Sequence, residues 1–160
     1  MDPDLTSEIP TEPAERVRAL VERVVETLDL EASVVVEEIE TEIRATVEGD
    51  ELDLLIGSDG ETIDALQYIA SRAAFADSAE RKAVVIDAAG YRGRREVALQ
   101  GAADRAATEA LASGRPVELE PMSSPERKIV HQYLAGRGDI ETHSEGQEPR
   151  RRLVVTPTAG

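Results

Sequence analysis

Cysteine is absent from this 160-residue chain, and aromatic residues and lysines are scarce. Without cysteine, disulfides, thiol chemistry and thiolate metal ligands are excluded. No apolar run approaches the roughly 20 residues that a membrane-spanning helix needs. The first four residues, two of which are acidic, are not followed by the apolar stretch of a secretory signal. We therefore expect a cytoplasmic protein.

The few aromatic residues narrow the class of nucleic-acid module that the chain can contain. They are three tyrosines and one phenylalanine, Tyr68, Tyr91, Tyr133 and Phe75. Modules that stack bases on several exposed rings are therefore disfavoured. Lys82 and Lys128 are the only lysines among 18 cationic residues. The excess of arginine suits bidentate phosphate contacts, but it is equally typical of a GC-rich genome or a salt-adapted host.

Negative charge dominates the chain but is unevenly distributed. The 33 acidic and 18 basic residues give a net charge of −15. Residues 1–90 carry 23 acids and 7 bases, a net of −16, whereas residues 91–160 carry 10 acids and 11 bases, a net of +1. A polyanion is repelled by the first part and tolerated by the second. Two clusters there are candidate contacts, although a solvated position is the commoner explanation for any single arginine: Arg92, Arg94, Arg95 and Arg150, Arg151, Arg152.

Hydrophobic periodicity predicts an α+β protein. Residues 14–28 place apolar side chains at helical spacing, and residues 41–48 alternate as a strand does. Residues 52–56 are too short to decide between helix and strand. The other expected helices cover residues 63–75, 92–112 and 124–135, and the other expected strands cover residues 33–39, 83–87, 117–120, 140–145 and 152–156. Gly101, in the middle of a predicted helix, suggests close packing there.

These elements predict two small domains joined by a long helix. Residues 1–12 form a flexible tail, residues 13–90 the first domain, and residues 91–157 the linking helix and the second domain. Ser123 and Glu126 have the spacing of a capping box, with Pro125 in the first turn of the helix that follows.

Gly57 and Gly60 flank a two-residue loop before an amphipathic helix. Two glycines let the backbone approach a phosphate closely, and the helix N-terminus adds a partial positive charge. A GxxG pair is weak evidence on its own, because it also serves as a plain turn between helices. It is neither a nucleotide-triphosphate loop nor a dinucleotide fingerprint, because the Gly-Lys-Ser/Thr and the third glycine are missing.

Three linked stretches of sequence resemble one protein family. Residues 55–68 are similar to the KH-domain core of the bacterial Jag (SpoIIIJ-associated) family, and residues 116–131 are similar to its second, RxxxH domain. Residues 144–155 resemble the closing hairpin of that domain. The resemblance implies a KH domain, type II-like, followed by an RxxxH domain, both binding single-stranded RNA. It further implies a role in regulating cell elongation or division, beside a second small KH protein.

Carried onto this chain, the KH clamp on the RNA backbone consists of Gly57, Ser58, Asp59 and Gly60. The loop departs from the usual pattern, because Ser58 and acidic Asp59 stand where a lysine or arginine is normal. We therefore predict that this domain binds RNA weakly or serves mainly as a protein-interaction surface. Asp59 has a competing structural role as a helix cap.

In the second domain the named pair is Arg127 and His131. At a spacing of four residues they project from one helix face, where a guanidinium can grip a phosphate and an imidazole can donate or stack. Arg150, Arg151 and Arg152 add further phosphate contacts, whereas two positions that are often aromatic in the family hold Pro125 and Arg150. His143 is more simply explained as a solvated side chain.

No pattern of catalytic residues is present, so we predict a protein that is not an enzyme and that uses no cofactor or metal. Two histidines twelve residues apart, without cysteine, do not make a zinc site. Single-stranded RNA is the expected partner. Two alternatives remain: a protein-interaction adaptor whose KH domain has lost nucleic-acid affinity, and a nonspecific binder of single-stranded DNA.

Overall fold

A computed structural model describes residues 9–159 of the chain. The chain divides into two compact units, Met1–Arg92 and Gly93–Gly160. Each unit combines helices with a three-stranded sheet, which confirms the predicted α+β class with two small domains. The predicted flexible tail at residues 1–12 falls largely on residues 1–8, which lie outside the described part. Within residues 9–159 no helix is both long and apolar enough to cross a membrane.

The first unit has the element order αββααβ. Its helices are α1 (Pro13–Thr27), the short α2 (Asp53–Ile56) and α3 (Glu61–Ala74). Its strands are β1 (Ala32–Glu38), β2 (Glu42–Gly49) and β3 (Ala83–Ala88). Strand β2 lies in the middle of the sheet, antiparallel to β1 and parallel to β3. Periodicity did not decide between helix and strand for residues 52–56. Most of this segment is helical, because α2 covers Asp53–Ile56.

Apolar patterning explains how this unit closes. The stripe on α1 buries Val17, Val21 and Val25, and these residues belong to the same core as the inward side chains of β2, Ile43, Ala45 and Val47. The outward residues of β2 are polar, as the alternation predicts. Helix α3 adds Ile63, Leu66 and Ala70 to this core.

The second unit is built on α4 (Tyr91–Ser113), which begins within the first unit, and on α5 (Ser124–Leu134). Its strands are β4 (Val117–Glu118), β5 (Ile140–Glu145) and β6 (Arg152–Pro157). Strand β6 lies between β4 and β5 and is antiparallel to both. Five residues of α4 are buried, four of them alanines, and several belong to one core with Val130, Leu134, Leu153 and Val155.

Two expectations about this unit need correction. Strand β4 ends at Glu118 rather than residue 120, although Leu119 and Met122 still donate backbone hydrogen bonds to Leu153 O and Arg151 O at 2.9 and 3.1 Å. Gly101 is not closely packed, since the atom nearest to a Cβ built there is Arg105 Nη1, at 3.4 Å. No neighbouring residue therefore requires a glycine at this position.

Candidate nucleic-acid interface

A cleft of about 390 Å³ lies on the surface of the second unit, between α5 and the β5–β6 hairpin. Helix α5 contributes one face at spacings of three and four residues, and the hairpin contributes the opposite wall. Nine residues line the cleft: Ser124, Arg127, Lys128, His131, Thr142, His143, Ser144, Arg151 and Leu153. Three of them are cationic, two are histidines and none is acidic. In a chain with 33 acidic residues, this is a local reversal of charge.

The predicted capping box at the start of α5 is present. Ser123 Oγ accepts a hydrogen bond from Glu126 N at 3.4 Å, and Glu126 Oε2 accepts one from Ser123 N at 3.2 Å. Arg95 Nε also donates to Glu126 Oε1 at 2.7 Å, which ties the first turn of α5 to α4. The cleft face of α5 therefore starts from a fixed turn.

Arg127 is placed deeper than its spacing suggested. The residue is 8 % exposed, the one charged or polar residue classed as buried among residues 9–159. Its Nη1 donates to Met122 O, and its Nη2 donates to Glu148 Oε1, both at 2.7 Å. The carboxylate of Glu148 is itself more than half exposed. The positive charge of Arg127 is thus already paired with a carboxylate.

His131 lies one turn further along α5 and is exposed. Its Nδ1 is hydrogen-bonded to Thr142 Oγ1 on β5, which orients the imidazole across the cleft. His143 also lines the cleft, and its Nε2 lies 2.8 Å from Glu145 Oε1. Because side chains alternate along a strand, the imidazole of His143 points to the side of β5 that carries Glu145, opposite to Thr142.

The three consecutive arginines 150–152 have three different environments. Arg151 lines the cleft and donates through Nη1 to Gly146 O at 3.1 Å. Arg152 starts β6 and pairs with Glu118 Oε2 at 2.7 Å. Arg150 is exposed and does not line the cleft. The structure therefore brings Arg127, His131 and Arg151 together and leaves the other two outside the cleft.

Sequence reasoning did not include six of the cleft residues among the site residues: Ser124, Lys128, Thr142, His143, Ser144 and Leu153. Lys128 follows Arg127 and faces the cleft because positions 124, 127, 128 and 131 share a helix face. The alternation of β5 was available as a signal for Thr142 and Ser144, which point to one side of that strand. Which side faces α5 depended on tertiary packing.

The GxxG loop of the first unit connects α2 to α3 through a 3-10 turn at Ser58–Gly60. Gly57 and Gly60 have φ values of 75° and 80°. A Cβ at Gly57 would collide with the side chain of Thr62, and one at Gly60 would lie 2.6 Å from Tyr91 Oη. Asp59 also has a positive φ, 51°, and the residue at the N-cap of α3 is Gly60, so the cap role expected of Asp59 is wrong. Both glycines are required by the fold itself.

The outer edge of β3, the strand that packs beside α3, is occupied by side chains of the same unit. Ile86 N donates to Gln67 Oε1 at 2.9 Å, and Arg92 Nε donates to Ile86 O at 2.7 Å. Arg92 also donates to Asp64 Oδ1 at 2.9 Å and to Gln67 Oε1 at 3.0 Å. Arg92, from the first arginine cluster, is thereby engaged within its own unit.

Comparison with protein families assigns both units. The KH domain of KhpA/KhpB matches residues 14–86, and the RxxxH domain, named for an arginine and a histidine separated by three residues, matches residues 97–157. These ranges contain the GxxG loop and the cleft, respectively.

Curated relatives carry one name, RNA-binding protein KhpB. The Lactiplantibacillus plantarum protein is 42% identical over 94 residues, 59% of this chain and 29% of the relative. The Streptococcus pneumoniae serotype 2 protein is 31% identical over 142 residues, 89% of this chain and 43% of the relative. The Bacillus subtilis protein is 35% identical over 98 residues, 60% of this chain and 47% of the relative. The matched region is thus less than half of each relative's length. The predicted resemblance to the Jag (SpoIIIJ-associated) family is confirmed: the chain combines a KhpA/KhpB-type KH domain with an RxxxH domain.

Proposed function

We propose that this chain is a non-catalytic protein that binds single-stranded RNA, chiefly through the cleft of its RxxxH domain. The observation that carries the proposal is the cleft lining, which is cationic and free of carboxylates in a chain of net charge −15. Phosphate groups provide most of the affinity in such contacts, so a site needs a local excess of lysine and arginine. The curated relatives, all named RNA-binding proteins, support the same function.

Within the cleft, Lys128 and Arg151 are placed to contact phosphates from opposite walls. His131, oriented by Thr142, offers its other ring nitrogen to a phosphate or a ribose hydroxyl. Arg127, which the sequence pairs with His131, lines the same cleft, and its charge is already paired with Glu148. Arg150 lies on the exposed hairpin, where it can meet a strand that extends beyond the cleft. Arg152 is a weaker contact because Glu118 already neutralises it.

The KH domain, taken as residues 13–90, has an auxiliary role. The loop formed by Gly57, Ser58, Asp59 and Gly60 carries a carboxylate, and the N–H groups of Gly57 and Gly60 already donate to Asp53 O and Gly57 O. The adjacent edge of β3 is hydrogen-bonded to Gln67 and Arg92. These features oppose RNA binding there. We therefore retain weak RNA binding for this loop, and residues 91–157 as the linking helix and main binding domain.

A second function, protein interaction, is favoured for the KH domain by its exposed apolar side chains. Leu54, Tyr68 and Ile69 are 60%, 67% and 54% exposed. A second small KH protein is the partner that the family resemblance implies. A cytoplasmic location and a post-transcriptional role linked to cell elongation or division complete the proposal.

Binding of fluorescently labelled single-stranded RNA to the full chain tests the main function. The double variant Lys128→Ala/Arg151→Ala should weaken binding by roughly tenfold or more for each of the two cations removed, because each charge-assisted hydrogen bond contributes about 1.5 kcal/mol. A matched control, Arg23→Ala/Arg115→Ala, removes two exposed arginines outside the cleft. Equal weakening in both variants would show that only net charge matters.

Two further readouts separate the alternatives. If wild-type protein does not bind RNA but retains a protein partner, the adaptor function replaces RNA binding. If single-stranded DNA of the same sequence binds equally well, the cleft recognises phosphate without reading the ribose.

RNA recovered intact after long incubation supports a non-catalytic mode, whereas cleavage that disappears in the cleft variant would contradict it.

A further inference from the structure

The side chain of Arg127 connects two segments that flank Arg151. One hydrogen bond goes to Met122 O, in the segment before α5, and the other goes to Glu148 Oε1, in the β5–β6 hairpin. Met122 N in turn donates to Arg151 O at 3.1 Å, so Arg127 is two hydrogen bonds away from the backbone of Arg151. The guanidinium of Arg151 donates to Gly146 O in the same hairpin. Arg127 therefore braces Arg151 from two directions.

The burial of Arg127 argues against a direct phosphate contact. Its side chain is 9% exposed, and its charge is opposed by Glu148 at 2.7 Å. A phosphate would have to displace that carboxylate and desolvate an ion pair that is already satisfied, which costs free energy. Lys128 and His131, by contrast, are exposed on the same helix face. The charges available to a ligand belong to the neighbours of Arg127.

We infer that Arg127 is a positioning residue, which holds the hairpin so that Arg151 faces Lys128 across the cleft, and that Glu148 is its structural counter-ion. The inference rests on the proposed RNA-binding function and assigns different tasks to its residues. A planar guanidinium is suited to this task, because it can bond two acceptors at fixed angles and a lysine cannot. In this arrangement Arg127 contributes to affinity through Arg151.

A double-mutant cycle on the full chain tests the inference, with affinity for labelled single-stranded RNA as the readout. Arg127→Lys keeps the charge but loses the fork, so it should weaken binding as Arg151→Ala does. Combining the two should leave affinity within a factor of about 2 of Arg151→Ala alone, because residues that act through one another are not additive. Combining Arg127→Lys with Lys128→Ala should instead multiply the two effects.

Glu148 provides a second variant that does not disturb the core. If Glu148 holds Arg127 in place, Glu148→Ala should weaken RNA binding relative to Glu141→Ala, which removes one exposed carboxylate of β5 without touching Arg127. Affinity that is unchanged or tighter relative to that control would overturn the inference, because Glu148 would then be idle or would compete with phosphate. Multiplicative effects for Arg127→Lys and Arg151→Ala would also overturn it.

The outcomes for this inference differ from those for the proposed function. If Lys128→Ala and Arg151→Ala both leave affinity unchanged, RNA binding at the cleft is wrong, whatever Arg127 does. If Lys128→Ala and Arg151→Ala both weaken binding while Arg127→Lys does not, the cleft binds RNA but Arg127 does not position Arg151. Only a weakening through Arg127 that disappears when Arg151 is already absent supports the assigned role.

Discussion

Residues of one type have different roles in this protein because their neighbours differ. Arg127 is buried against Glu148, Arg151 lines the cleft, and Arg92 engages the edge of β3. Each is an arginine in a basic context in the sequence. What a guanidinium does here depends on whether an acceptor from another element reaches it, and residue type alone does not specify that.

Substitutions of Asp59 test whether the GxxG loop takes part in RNA binding. Replacing it with lysine should strengthen RNA binding, because the carboxylate near the phosphate position is exchanged for a cation. The matched control is Asp59→Asn, which removes the charge and tolerates the positive φ of 51° at this position. Affinity that stays at the wild-type value in both variants would contradict any RNA role for the loop. Measurement is by RNA titration of the full chain.

Tyr133 allows a test of local electrostatics. Its hydroxyl donates a hydrogen bond to Asp104 Oδ2 at 2.9 Å. This bond raises the pKa of Tyr133, desolvation and the carboxylate charge raise the pKa further, and Arg137 opposes them. Because the pKa is raised in the folded state, the stabilisation is complete below the ordinary tyrosine pKa of about 10 and is lost as pH rises through the folded value.

The expected result is that Asp104→Ala moves the pKa of Tyr133 back towards its ordinary value. Alkaline titration followed by tyrosinate absorbance measures it, and Tyr133→Phe identifies which of the three tyrosines gives the signal. An unchanged titration in Asp104→Ala would show that the hydrogen bond does not persist in solution.

At the scale of elements, the sequence predicted most of the secondary structure. The helical stripe of α1, the alternation of β2 and the capping box of α5 each appear where expected. These succeeded because a local pattern, in a segment long enough to repeat it, carries the information. The segments that the sequence did not predict correctly are short. Residues 52–56 are too few to show a helical or a strand periodicity, and the end of β4 is set by its pairing with another strand.

Gly101 offers a stability prediction for α4. Because a Cβ there meets only ordinary contact distance, Gly101→Ala should raise the free energy of unfolding by about 0.5–1 kcal/mol through a lower entropy of the unfolded chain. Urea denaturation followed by circular dichroism measures it. Gly57→Ala is the opposite case, because its φ of 75° and the collision with Thr62 should make that variant less stable. A decrease of stability in Gly101→Ala would mean that α4 is packed more tightly at this point.

At the scale of the whole molecule, the net charge of −15 and the cationic cleft act over different distances. Repulsion from the acidic residues is screened beyond a Debye length of about 8 Å at physiological salt, whereas contacts inside the cleft are screened less. A binding site can therefore exist in an acidic protein, provided that its own lining excludes carboxylates.

The salt dependence of RNA binding tests this separation. Lys128 and Arg151 together should contribute about −1.4 to the slope of log affinity against log salt, since each phosphate contact on a single strand contributes about −0.7. Arg151→Ala should make the slope less steep by about 0.7, and Arg115→Ala, which removes an exposed arginine outside the cleft, should leave it unchanged. A slope that is the same for all three proteins would place the phosphate contacts elsewhere.

The sequence by itself determined the fold class, the two-domain organisation and the family, because these follow from periodicity, charge distribution and three linked motifs. It also predicted Arg127, His131 and Arg151 as site residues, and all three line the cleft. Only the tertiary structure decided that Arg127 is buried against Glu148, that Arg152 pairs with Glu118, and that Lys128 and Thr142 share the cleft. The physical reason is that each of these contacts joins residues from different elements, and no local spacing records which elements meet.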